Sequence, residues 1–437
     1  MEKGLAALTH LTYNTVIHAL SPALAGWLTF RLLVQRKGRR AIRDWFGSYQ
    51  FPNNNADRTP RLWVHAVSVG EVIAASTVIH TLRQRMKDAS MFVTCITDTG
   101  RDTAARTIPE ADQINFLPLD FPWFMTRGLR RIKPHVLVLV EGELWPNLLH
   151  AAKECGINVL LINGRISDTT ISRARSIARP FYNWILSYVD CFAMRSEMDA
   201  ERLLSLGVDA KKVTITGDVK LDHPQTSLDP IAVDTLRAEL GLDEGSPVWI
   251  AGSTHSGEEA HILRAHRLLQ KKFPNLRLIL APRHCERTSD VEAIIRDFGM
   301  VPKRRTANAP SNNGANPPIL ILDTIGELSK IYATADAAFV GGSLIRRGGH
   351  NMIEPLLKGK PVVFGPHINN FRHHAQWIID SKLGSIVWDS NQLAAAIGKW
   401  LGSERTETAQ RAKQLLDEHR GAADRTAALI QKFTTGR

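Results

Sequence analysis

The chain has 437 residues, 44% of them hydrophobic and 22% charged, the make-up of a soluble α/β enzyme with two domains that can each bury a core. Its four cysteines, Cys95, Cys155, Cys191 and Cys285, lie far apart, which excludes a cysteine-rich zinc site and favours unpaired thiols in a reducing compartment. A net charge of +12 at pH 7 calls for an anionic partner or surface, without separating nucleic acid from lipid.

The first predicted element is an anchor. Residues from Val16 to Val34 are mostly apolar, interrupted by His18, Ser21, Pro22 and Arg31, and no signal-peptide cleavage site follows. Arg31, Arg36, Lys37, Arg39, Arg40 and Arg43 then accumulate with no acid before Asp44. An apolar segment flanked by a basic cluster marks a membrane anchor whose basic side faces the cytoplasm. The run is at the lower length limit for crossing a bilayer, so spanning and interfacial insertion both stay open. An amphipathic helix packed on the protein's own body would show the same pattern.

Beyond the anchor, short apolar runs alternate with helical patterns. The predicted strands are Arg61–Val67, Met91–Ile96, His135–Val140, Val159–Ile162 and Val213–Thr216. After the proline-bearing stretch His223–Pro230 the alternation resumes with Val248–Ala251, Leu276–Ala281, Ile319–Leu322, Ala337–Val340 and Pro361–Phe364. This pattern predicts two parallel sheets with crossover helices, two doubly wound domains facing a cleft. Thr306–Pro318 reads as a surface loop, and Glu404–Lys432 as helical.

Several strand ends carry chemistry. The first strand runs into Ser68-Val69-Gly70-Glu71, where a glycine turn places Glu71 in the first helical turn, at the sheet edge that binds ligands in open α/β folds. A carboxylate there could take a proton from an attacking hydroxyl. The same spacing is a capping box. At the end of His135–Val140, Glu141 and Glu143 point to one side if the strand geometry persists. A polar strand-end loop is the plainer alternative.

The second half repeats the theme. Ser253 and Thr254 follow a strand and offer hydroxyls and backbone donors, as an N-cap also would. Arg283 and His284 end the next strand, a basic pair suited to a phosphate or a base edge. The Gly326-Glu327 turn could set backbone groups against a nucleobase. The longest signal is Gly341-Gly342-Ser343 to Gly348-Gly349-His350-Asn351-Met352-Ile353-Glu354, read as strand, glycine loop and helix N-terminus. Such a loop offers N–H groups to a phosphate, and Glu354 could bind a ribose. It lacks the P-loop and dinucleotide signatures. No Asp-x-Asp pair or His-x-x-x-His site occurs, so a metal-free mechanism with no cofactor is expected.

Together these motifs resemble the 3-deoxy-D-manno-octulosonic acid (Kdo) transferases of lipopolysaccharide assembly. The resemblance rests on His65–Glu71, Glu141–Asn147, Asn163–Ser167, Gly217–Asp222, Ser253–Glu259, Pro282–His284, Gly326–Leu328, the long glycine loop and Gly365–His367. The chain differs from the family pattern at Gly164, where alanine is usual, at Met194, where a polar residue is usual, and at Cys285, where proline is common.

The resemblance implies an α/β GT-B glycosyltransferase, two Rossmann-like domains with an N-terminal membrane-anchoring helix. The segments are an anchor over 1–44, an acceptor domain over 45–222, a linker over 223–234, a CMP-Kdo domain over 235–403 and a helical segment over 404–437. The reaction would be inverting, metal-independent transfer of Kdo from CMP-Kdo to the lipid A precursor (lipid IVA) on the cytoplasmic face of the inner membrane. Glu71 would be the general base. Donor contacts would come from Ser253, Thr254, Arg283, His284, Gly326, Glu327, Gly348, Gly349, Asn351 and Glu354. Ser68, Gly70, Glu141, Glu143, Arg165 and Lys220 would serve the acceptor or the transition state. The partners are the donor, the acceptor and an anionic inner-membrane surface. Nucleic acid is not among them, because the densest basic cluster adjoins an apolar segment and no RNA-binding motif is present. A GT-B transferase or epimerase acting on a UDP-sugar is the alternative.

Overall fold

The structure is a computed structural model that describes residues 2–34, 39–50, 59–175, 178–222, 229–243, 245–307 and 319–435. Arg36 and Lys37 of the basic cluster, residues 223–228 of the linker and 308–318 of the Asn- and Pro-rich loop lie outside the described residues. The chain divides into two compact units, one of Met1–Pro224 with His419–Arg437 and one of Gln225–Glu418.

Unit 1 holds seven parallel strands, β1 (Arg61–His65), β2 (Ser90–Cys95), β3 (Gln113–Phe116), β4 (Val136–Val140), β5 (Asn158–Gly164), β6 (Cys191–Met194) and β7 (Val213–Ile215). Their order is β3-β2-β1-β4-β5-β6-β7, so the winding reverses between β1 and β4. The helices are α1 (Glu2–Leu33), α2 (Ile42–Trp45), α3 (Val69–Arg85), α4 (Asp98–Thr107), α5 (Pro122–Ile132), α6 (Pro146–Glu154), α7 (Asp168–Ala174), α8 (Arg179–Ser187) and α9 (Glu197–Leu204). Alternate strand residues feed opposite faces. Trp63, Leu137 and Leu139 join one core, and Leu62, Val64, Val136 and Val138 the other. A parallel sheet covered on both sides requires such unbroken apolar runs.

Two of the sequence departures explain each other. A Cβ built at Gly164 would lie 2.6 Å from Met194 Sδ, and the two residues are paired in register between β5 and β6. The methionine occupies the space an alanine methyl would need.

Unit 2 repeats the architecture with β8 (Val248–Thr254), β9 (Arg277–Pro282), β10 (Pro302–Arg304), β11 (Ile319–Ile321), β12 (Ala337–Val340), β13 (Val362–Phe364) and β14 (Gly384–Ile386). The order β10-β11-β9-β8-β12-β13-β14 reverses between β8 and β12. Its helices are α10 (Pro230–Glu239), α11 (Glu258–Gln270), α12 (Thr288–Asp297), α13 (Leu328–Ile331), α14 (Ile353–Leu356), α15 (Arg372–Asp380), α16 (Ser390–Leu401) and α17 (Arg405–Glu418). The last helix, α18 (Ala422–Thr435), belongs to unit 1, where Ala422, Ala427 and Ile430 enter the core and Asp222 accepts from the N–H groups of Gly421 and Ala423.

No helix among the described residues is long and apolar enough to cross a membrane. α1 is instead clamped to unit 1 by polar contacts. Tyr13 donates to Asp120 Oδ2 at 2.8 Å, Asn147 Nδ2 donates to Asn14 Oδ1 at 2.9 Å, and His10 Nε2 lies 3.1 Å from Asn147 Oδ1. Asp120 also accepts from the N–H groups of Asn147 and Leu148, and burial pushes its pKa up to about 6. Leu5, Leu8, Leu11, Val16, Leu20, Trp27, Phe30, Leu33 and Val34 remain exposed.

Candidate functional site

In unit 1 the reversal between β1 and β4 brings the β1–α3 and β4–α6 turns together, the crevice where open α/β sheets take ligands. Ser68 caps α3, its Oγ accepting from the Glu71 N–H at 3.4 Å. Glu71 returns the contact. Its Oε2 accepts from the Val67 N–H at 2.7 Å and its Oε1 from the Ser68 hydroxyl at 2.9 Å. The capping box is therefore real, and it also aims the carboxyl. Burial, and then the charge of Glu141, raise the pKa of Glu71, while the Val67 N–H, Ser68 and Lys220 oppose the rise.

Glu141 does not continue β4. It turns into the left-handed region at φ 65°, so the extended geometry expected for Glu141 and Glu143 does not persist. The local reason is the next connection, since Glu141 N–H reaches Ile162 O and its carbonyl accepts from Arg165 N–H. The carboxylate meets Lys220 Nζ at 2.5 Å, and Asn163, also at positive φ, fixes the adjoining turn by accepting from Val219 N–H. Lys220 Nζ lies 3.7 Å from where a Gly70 Cβ would sit, and its charge lowers the pKa of Glu71. Burial and the charge of Glu71 push the pKa of Glu143 up to about 7. Arg165 is lowered by burial and by Arg195. The acceptor-side candidates thus converge on one sheet edge as three carboxyls with two cations.

In unit 2 the glycine loop is built differently from its sequence reading. Glu258, fully buried at the start of α11, accepts from the N–H groups of His255 (2.9 Å) and Gly342 (2.7 Å) through Oε2, and of Ser343 (3.1 Å) and Leu344 (3.0 Å) through Oε1. The N–H groups expected to hold a phosphate hold a protein carboxylate, and α14 is a single turn without a long helix dipole behind it. Gly341 permits this approach, because a Cβ there would lie 2.6 Å from Ser253 O. Thr254 is buried with its hydroxyl directed at Glu259, and Ser253 sits at φ 56°.

Cationic side chains surround this edge. Arg283 and His284 are exposed, and Arg283 N–H bonds Thr254 O at 3.0 Å. His255 Nε2 lies 2.8 Å from His350 Nε2 with the rings almost parallel, so one neutral imidazole donates to the other. Burial and then Arg347, with His284, Arg287 and Arg283, lower the pKa of His255. Burial, then His255, hold His350 down at about 4. So dense a positive field suits a bound anion. Asn351 Nδ2 donates to Glu354 Oε1 at 3.1 Å. Gly349 N–H bonds Gly342 O, and a Cβ at Gly348 would meet the Asn370 side chain at 2.5 Å. Gly326 is exposed at φ 91°, and Thr324 donates to Glu327. Glu258, His255, His350 and Arg347 were given no role by the sequence. Gly257-Glu258-Glu259 beside a glycine loop was the available signal.

Two seven-stranded parallel sheets, each with polar groups at its reversal point, define a glycosyltransferase-type fold. A glycosyltransferase from Rickettsia africae superposes with a TM-score of 0.61 at 13% identity over 87% of this chain and 100% of that one. A UDP-GlcNAc 2-epimerase from Neisseria meningitidis does so with 0.59 at 12% identity over 85% and 99%. Residues 40–223 match the family described as 3-deoxy-D-manno-octulosonic-acid transferase (kdotransferase). The 3-deoxy-D-manno-octulosonic acid transferase of Haemophilus influenzae is 31% identical over 96% of this chain and 98% of its own length. The chain belongs to this Kdo transferase family and is a glycosyltransferase of lipopolysaccharide synthesis.

Proposed function

We propose that the protein transfers Kdo from CMP-Kdo to a hydroxyl of the lipid A precursor, lipid IVA, with inversion and without a metal, at the cytoplasmic face of the inner membrane. The observation that carries this reading is the buried carboxyl of Glu71 at the reversal point of unit 1, with Arg283, Arg287 and Arg347 around His255 at that of unit 2. Glu71 accepts the acceptor proton as the hydroxyl oxygen bonds to the anomeric carbon and the bond to the CMP phosphate breaks. A carboxyl raised by burial is a stronger base than a free one. Arg283 and His284 hold the departing phosphate, whose single phosphoryl group suits side-chain cations. Ser253, Gly348, Gly349 and Asn351 position the donor sugar and phosphate, Gly326 and Glu327 border the cytosine, and Glu354 takes the ribose. Lys220 and Arg165 hold anionic groups of the acceptor. α1 rests its exposed apolar residues on the membrane.

CMP should raise the melting temperature of the purified protein and UDP should not. The reverse would favour the UDP-sugar alternative. Glu354→Ala should weaken CMP binding by about 1–3 kcal/mol through an unpaired ribose hydroxyl. Calorimetry showing equal affinity would move the ribose elsewhere.

The charge network makes a signed pH prediction. Lys220 lowers the pKa of Glu71 and pairs with Glu141, which raises it. In Lys220→Met both effects push the Glu71 pKa up. The base must be ionised, so the acid limb of the kcat/KM profile should move to higher pH. A limb that stays still or moves down would show that another group titrates.

A further inference from the structure

α5 carries a face that neither the core nor the site uses. Met125, Leu129 and Ile132 bury one side of it. Along the other, Trp123 is 77% exposed, and with Pro122, Thr126, Arg127, Arg130 and Arg131 it lines a shallow groove. The helix contains no acid, and Arg127, Arg130 and Arg131 have no ion-pair partner among the described residues. The face thus combines an exposed indole with three guanidinium groups that have no ion-pair partner among the described residues. An anionic bilayer surface fits both, since indoles settle at the headgroup level and arginines meet lipid phosphates.

The face is continuous with other exposed apolar groups of unit 1. The ring of Phe121, at the head of α5, meets His18 of α1 at 5.4 Å, and Phe124 meets Phe46, just after α2, at 5.0 Å. Ile42 and Phe46 are themselves exposed, with Arg40 and Arg43 beside them. α5 also begins at the C-terminal edge of the sheet, the edge on which Glu71 lies, after β3 and two strands from β1.

We propose that α5 is a second membrane-docking element, with Trp123 inserted at the bilayer interface and Arg127, Arg130 and Arg131 paired with anionic lipid phosphates. The proposal rests on the membrane reading above and adds to it a contact outside the N-terminal helix. It commits to a lipid surface because the face joins an exposed indole to three arginines and carries no acid.

The test uses the full chain and flotation with vesicles of phosphatidylcholine, alone or with about 30 mol % phosphatidylglycerol, the anionic component that attracts basic groups. One variant combines Trp123→Ser, Arg127→Gln, Arg130→Gln and Arg131→Gln, all exposed, and a second combines Leu20→Ser, Trp27→Ser and Phe30→Ser on α1. The α5 variant should bind anionic vesicles about tenfold or more weakly, with a smaller loss on neutral ones. Quenching by brominated lipid should be weaker in Trp123→Phe than in the unaltered chain. An α5 variant that floats normally while the α1 variant does not would overturn the α5 proposal and leave the membrane reading standing. Normal flotation of both would sink both. Equal loss on neutral and anionic vesicles would overturn the pairing of the arginines with lipid phosphate.

Discussion

Glu71→Gln is expected to fold normally, bind CMP normally and turn over about 10²- to 10⁴-fold more slowly, the usual weight of general-base catalysis. The variant keeps the shape of the side chain. Its amide oxygen can still accept from Val67 N–H, and the Ser68 oxygen can still cap α3, so the local helix start survives. What disappears is the carboxylate that burial and Glu141 hold above its ordinary pKa. The measurement is single-turnover transfer with saturating donor, together with a CMP melting shift. Turnover near normal would leave Glu71 as a helix cap and nothing more.

Glu258→Gln should do more damage to unit 2 than any change at its exposed edge. Four backbone N–H groups face the two carboxylate oxygens of a fully buried side chain. Glutamine supplies one acceptor oxygen and turns an NH2 group toward the remaining donors. At least two N–H groups then lose their acceptor, at a cost of about 3 kcal/mol or more. The loop Gly342–Leu344 and the His255 backbone would lose their shared support, so CMP affinity should fall with stability. Denaturant unfolding and CMP titration on the same preparation check this. Stability and affinity both near normal would mean that the loop is held by its glycine geometry and not by the carboxylate.

The structure also alters what truncation would test. Val16–Val34 reads in the sequence as an anchor, but it continues a single helix, α1, that is held to the rest of unit 1 through His10, Tyr13 and Asn14. Deleting it would strip the buried Asp120 of the Tyr13 hydroxyl and leave the Asn147 amide short of a partner. Loss of membrane binding on deletion would therefore mix docking with unfolding, whereas substitutions at exposed positions separate them.

Legibility followed runs of β-branched and apolar residues. Val136–Val140 is covered on both faces, so its apolar run marks a strand from composition alone. The strands without a sequence signal are short or lie at the edge. β3 reads Gln-Ile-Asn-Phe, β10 reads Pro-Lys-Arg and β14 reads Gly-Ser-Ile, with every side chain but Phe116 half-buried and no periodicity to detect. β6 is buried, but its Cys-Phe-Ala-Met has no β-branched residue to mark it. Glu71, Glu141, Lys220, Arg283 and Glu354 could be singled out because each stands at the end of a legible strand or in a motif.

The sequence by itself determined the alternation of strand and helix, the glycine turns at the strand ends and membership of the family, because these depend on local chain geometry and residue order. Only the tertiary structure decided which groups meet. Glu258 reaches Gly342 across 84 residues, Lys220 reaches Glu141 across 79, and Asn147 reaches Asn14 across 133. A buried N–H group must find an acceptor, but the sequence does not say whether a ligand or a distant carboxylate supplies it. Here the fold answered with its own glutamate, so a phosphate at that edge, as proposed above, would meet side chains and not these N–H groups.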